Sequence, residues 1–119
     1  MAADRWKDLK ARTKQYALRI IRLFRVLPKA GEAREIGQQL LCSGMSVGAN
    51  FREATRARSA AEFASKANLS LIELDESRYW LELLQESGIL PAKRLSLLFG
   101  ETDELVAIFV TIIKNAKGD

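Results

Sequence analysis

The side chains able to do chemistry fall into a few small groups. Glu73 and Glu76 stand one helical turn apart, a spacing at which two carboxylates can act as acid and base if a pocket holds a substrate between them. No nucleophile or cofactor loop lies near them in the sequence, and adjacent acids on a helix are ordinarily a wet surface. Cys42 is the only thiol, and the chain has no histidine. The usual nitrogen ligands of zinc and copper and the commonest general base are therefore missing. Cys42 sits between Leu41 and Ser43 with no base beside it, and is expected to pack as a small hydrophobe. These absences argue against an enzyme, a resident metal or a cofactor. What remains is binding chemistry: Arg52, Arg56, Arg58 and Lys66 within one short stretch, and the amide pair Asn50 and Asn68.

The elements that must position these groups are helices. Trp6, Leu9, Thr13, Tyr16, Ile20, Leu23 and Leu27 follow the alternating three- and four-residue spacing of a bundle seam, which predicts a first helix over 3–28, closed by Pro28. A second helix is expected over 32–57 with Ile36, Leu40, Gly44, Val47, Phe51 and Ala54 inside. Its seam is unusually small. Each interior glycine costs about 1 kcal/mol against alanine, so either close approach of a neighbouring helix offsets Gly37, Gly44 and Gly48, or the helix breaks near Gly44.

Ser59-Ala60-Ala61-Glu62 has the form of a capping box, in which Ser59 and Glu62 satisfy each other's backbone N–H groups. A third helix is expected over 60–87, stopped by Gly88. Its inner stripe is Phe63, Ala67, Ser70, Leu74, Ser77, Leu81 and Leu84, and a second apolar stripe, Leu69, Ile72, Tyr79, Trp80 and Leu83, lies nearly opposite. One subunit needs only one buried stripe. The second predicts an interface with another copy of the chain, or else rings lapping over helix edges within one subunit. The fourth helix, over 91–116, carries Leu95, Leu98, Thr102, Leu105, Phe109, Ile112 and Ala116. The fold expected is all-α, an up-and-down antiparallel four-helix bundle forming a single domain over 1–119.

If the second and third helices turn at about residues 58–60, Asn50 faces Asn68, and the pair fixes register rather than performing chemistry. Arg52, Arg56, Arg58 and Lys66 then gather at the hairpin end. There they either dock a polyanion or pair with Glu53, Glu62 or a neighbour's acids. Net charge is +4 overall, but residues 1–29 hold nine Lys or Arg against Asp4 and Asp8, while 70–104 hold eight acids against Arg78, Lys93 and Arg94. That polarity either attracts phosphate backbones to the basic end or lets the first helix lie beside the third, in the same or a neighbouring subunit, with Arg19 or Arg22 near Glu73 to Glu76. No apolar run is long enough to cross a membrane, and the first residues lack the apolar block of a secretory signal. A cytoplasmic location is expected.

The run Ser46-Val47-Gly48-Ala49-Asn50-Phe51-Arg52-Glu53-Ala54, with Arg56-Ala57-Arg58-Ser59, Glu62-Phe63 and Lys66, resembles the bacterial four-helix-bundle family of 23S rRNA intervening-sequence proteins. Leu71, Glu73, Asp75-Glu76 and Tyr79-Trp80-Leu81-Glu82-Leu83-Leu84 resemble the family's second signature. Phe51-Arg52-Glu53-Ala54 stands where many relatives carry an Ile-Ala-Glu-Gly-like stretch, which places the chain in a sub-branch. The resemblance implies a small bundle that assembles as a ring, typically a homopentamer. Its relatives include accessory proteins of diversity-generating retroelements, which bind nucleic acid and a reverse transcriptase. RNA, DNA or such a protein are the partners it suggests beyond a second copy of the chain, with no enzymatic role implied.

Overall fold

The computed structural model describes residues 5–118. Four helices follow one another, α1 over Lys7–Val26, α2 over Gly31–Ala54, α3 over Ala60–Glu86 and α4 over Ala92–Ala116. The described residues contain no strand. The bundle measures 44 × 23 × 20 Å. Each helix packs on the next in chain order, most extensively α2 on α3, and α1 meets α4 along the slightest of the four seams.

The helix ends have local causes. α1 stops at Val26 because Leu27, ahead of Pro28, is extended (φ −74°, ψ 148°), the conformation a following proline imposes. Residues 3 and 4 of the expected first helix lie outside the described residues. α2 ends at Ala54, short of residue 57, and the chain turns through Thr55 to Ala57 with Ala57 N–H donating to the Ala54 carbonyl. Ser59 caps α3, its hydroxyl accepting from the Glu62 N–H at 3.1 Å. Only this half of the capping box forms. Gly88 takes φ +81° after α3, and Leu90 N–H folds back onto the Leu84 carbonyl. Pro91 precedes α4 as its cap rather than sitting within it.

Tyr16, Ile20, Leu40, Val47, Phe51, Leu74, Leu81, Leu84, Leu95, Leu105 and Phe109 are the fully enclosed core. At the end of α4, Ile113 is buried and Ile112 only half-buried, so the inner line steps by four residues after Phe109 rather than by three. α2 runs unbroken through Gly44. A β-carbon on Gly44 would collide with the Ile20 side chain, one on Gly37 would lie 3.0 Å from Leu27, and one on Gly48 would lie 3.2 Å from Thr13. All three glycines therefore face α1. Side chains of α1 fill the space where β-carbons would lie, and that packing is what the lost helix propensity is set against.

The core also holds hydroxyls, each satisfied. Thr102 donates to the Leu98 carbonyl and accepts from the Tyr16 hydroxyl, both at 2.7 Å. Ser43 donates to Leu40 O and accepts from Ser77 at 2.8 Å, while Ser70 donates to Val47 O at 2.7 Å. Burial of Tyr16 pushes its pKa up to about 12, against the smaller opposing effect of its hydroxyl partners. These bonds tie α1 to α4 and α2 to α3 at fixed levels, the role expected of Asn50 and Asn68. That expectation is corrected: Asn68 is exposed and no hydrogen bond joins the two amides, because serines at inner positions hold the α2–α3 register instead.

Candidate functional site

The hairpin end between α2 and α3 stands on an aromatic cluster. Phe51 is fully buried, edge-on to Phe109 at 5.3 Å and to Trp6 at 5.7 Å, and Trp6 stacks on Phe63 at 5.1 Å. Such pairs add about 0.5–1.5 kcal/mol each beyond their area, which stabilises this end of the bundle. A cleft of about 420 Å³ opens beside the cluster, bordered by Thr55, Ser59 and Asn115. Arg52, Arg56 and Arg58 project from the last turn of α2 and the turn that follows, all exposed, and none forms an ion pair among the described residues. Lys66 differs. It lies 3.7 Å from Glu53, so the fourth member of the basic group is engaged with an acid and the three arginines are not.

A second surface is the outward face of α3. Leu69, Ile72 and Tyr79 are 48%, 44% and 53% exposed. Trp80 and Leu83, expected on the same open face, are half-buried. At 100° per residue Trp80 sits toward one flank of the stripe, where its ring packs against the core edge-on to Tyr79 at 5.0 Å. Its indole N–H is buried without an acceptor, a cost of about 1–3 kcal/mol. Glu73 and Glu76 lie along this stripe. Partial burial and then the Glu76 charge hold Glu73 above the usual carboxylate range. No nucleophile accompanies the pair, and no group of three metal-ligating side chains occurs among the described residues.

A third surface is the seam between α1 and α4. Arg12 reaches Glu101 at 2.7 Å and Glu104 at 3.3 Å across its lower half. Its upper half is an open groove of about 420 Å³ with Arg19, Arg22 and Arg94 around Val26 and Leu97, and Leu97 is 78% exposed. Arg78, on α3, pairs with Asp103 on α4 and with Glu82. The expected pairing of Arg19 or Arg22 with Glu73 to Glu76 inside one subunit does not occur, because α1 packs on α2 and α4 and the acids of α4 reach Arg12. Cys42 is also corrected. It is exposed, on the outer side of α2 away from the buried line Leu40, Ser43, Gly44 and Val47.

Over this four-helix frame, residues 7–111 match the family of 23S rRNA-intervening sequence proteins. The chain belongs to that family. The match contains α1, α2 and α3 whole and α4 up to residue 111. A crystal structure of a protein of unknown function, from the S23 ribosomal protein family of Bacteroides thetaiotaomicron, is similar with a TM-score of 0.83 and 34% sequence identity. That similarity covers 88% of this chain and 97% of that one. No functionally curated protein matches the chain. Membership therefore states a fold and a lineage, and the function has to be argued from the surfaces. No helix among the described residues is long and apolar enough to cross a membrane.

The sequence pointed to the hairpin arginines and to the α3 stripe. It gave no sign of the α1/α4 groove, whose residues come from two helices at opposite ends of the chain. Leu97, an apolar residue off the inner line of the fourth helix, stands in the sequence but does not say which helix lies beside it.

Proposed function

We propose that this chain is a non-enzymatic, self-assembling binding protein that presents its hairpin arginines to a polyanion, with nucleic acid the class that fits. The observation that supports this most directly is that Arg52, at the end of α2, and Arg56 and Arg58, in the turn that follows, are exposed and without an acidic partner among the described residues. Surface cations in globular proteins commonly sit near acids in pairs worth about 0 to 1 kcal/mol. Three unpaired arginines leave their charge available to phosphates, and release of the counterions condensed on the nucleic acid drives such binding. The chain's overall charge of +4 favours the same encounter. One patch of three cations binds weakly. Assembly through the exposed α3 stripe repeats it, and effective concentration then raises the affinity of the whole.

Binding of a short fluorescent RNA and of a DNA duplex, each at two salt concentrations, tests the reading. Affinity should fall steeply with salt, and the combined Arg52→Glu, Arg56→Glu and Arg58→Glu substitutions should abolish it without changing the melting temperature. Binding that ignores salt, or that survives the triple charge reversal, contradicts the nucleic-acid reading.

A further inference from the structure

The hairpin arginines stand beside a hollow. The cleft next to the aromatic cluster holds about 420 Å³, within the about 300–1,000 Å³ of sites that take small molecules. Its room comes from the short side chains Ala54, Ala57 and Ala60, where α2 ends and α3 begins. One wall is aromatic, made by Trp6 stacked on Phe63. The exposed Arg5 guanidinium rests over the Trp6 ring, 4.7 Å from its centroid. What covers the indole there is a solvent-exposed side chain that a flat ligand can displace or stack upon.

The rim carries both senses of hydrogen bond. The Ser59 hydroxyl accepts from the Glu62 N–H and keeps its own proton to give. The Thr55 hydroxyl donates to the Arg52 carbonyl at 2.7 Å and keeps lone pairs to accept, and the Asn115 amide offers both. No acid borders the cleft among the described residues. Arg56 and Arg58 alternate along the chain with the bordering residues Thr55, Ala57 and Ser59, so two free cations belong to the turn that forms its edge. A flat aromatic wall, mixed donors and acceptors, nearby cations and no carboxylate together suit an aromatic heterocycle joined to phosphates.

Resting on the nucleic-acid reading above, we propose that this cleft seats one unpaired base of a single-stranded nucleic acid. The base stacks against the Trp6 indole, its polar edge meets Ser59, Thr55 and Asn115, and the phosphates on either side of it meet Arg56 and Arg58. A base held inside a duplex is already stacked and paired and does not enter. The preferred ligand is therefore a single strand, and stacking makes the site tolerant of base identity, since every base has a face to offer.

The test compares an oligothymidylate with an abasic strand of the same length, which carries the same phosphates and no bases. Trp6 is one of two tryptophans, so in a Trp80→Phe background its fluorescence reports on the cleft alone, with circular dichroism checking the fold. The thymidine strand should quench Trp6 and bind about tenfold more tightly than the abasic one. Ala60→Leu fills the hollow from an exposed position in the first turn of α3, where leucine suits a helix nearly as well as alanine. It should remove the quenching and the tenfold preference and leave the salt-dependent binding of both strands. Equal affinity for the two strands, or a preference that survives Ala60→Leu, overturns the base site while the arginine reading stands. Failure of either strand to bind at low salt overturns both.

Discussion

Helix α1 touches its two neighbours in opposite ways. Against α2 it is held by three glycines, and at Gly44 there is no room for a single added carbon beside Ile20. Against α4 it is held by a hydroxyl pair and an arginine bridge at one end and opens into a groove at the other. The first seam is closed by removing side chains and the second is left ajar by long ones. A closed seam has nothing to offer a partner, since its energy is already realised inside the subunit. An open seam with exposed leucine and valine between arginines keeps part of its burial in reserve.

The comparison is broken most forcefully at the glycines. Gly100 lies within α4 with open space where a β-carbon would go, so Gly100→Ala should stabilise the bundle by about 1 kcal/mol through helix propensity alone. Gly44→Ala gains the same propensity but forces the fully buried Ile20 aside, and should destabilise by about 1–3 kcal/mol. Urea titration of both variants measures the difference. Equal effects at the two positions would mean that the α1–α2 seam is not tight.

The other seam is sharpened by pH. Tyr16 has a folded pKa of about 12 against an ordinary 10.0. The folded state therefore keeps its proton where the unfolded chain has begun to lose it, and the unfolded state binds fewer protons. Stability from this group is fully present below about pH 10 and falls as pH rises towards about 12. Tyr16→Phe should cost about 1 kcal/mol at neutral pH and remove that part of the alkaline loss, as thermal melts of both proteins across the alkaline range would register. The smallest effect belongs to Arg12. Its carboxylate partners raise its pKa, the Glu101 hydrogen bond most, yet Arg12→Ala should cost no more than about 1 kcal/mol because the bridge is partly exposed. A larger loss in a melt would show the α1–α4 seam to depend on that bridge.

Much of this was legible in the sequence. Helix number, order and inner lines followed from periodicity, because apolar spacing reports which side of a helix is dry. The small residues of α2 signalled a close neighbour, and Ser59 marked the start of α3 through its backbone bond. The register groups were misassigned, since Asn50 and Asn68 look like a polar pair on paper while Ser43, Ser70 and Ser77 look like filler. Which hydroxyl finds which acceptor depends on helix rotation, and spacing alone does not fix that angle closely enough. Cys42 was misplaced for the same reason, one residue from a buried serine on the wrong side of the helix. The hairpin arginines were legible as a cluster, but their lack of partners was not, because Glu53 lay near enough in sequence to take any of them and took Lys66.

The claim on which the rest stands is that this bundle, complete in its core, is incomplete along the exposed stripe of α3, which we propose a second copy of the chain covers. Light scattering on the purified chain across a wide concentration range tests this most directly. The account predicts a molar mass several times the 13.3 kDa of one chain, reverting towards that value when Tyr79 is replaced by glutamate. A mass that stays at one chain at every concentration would contradict it.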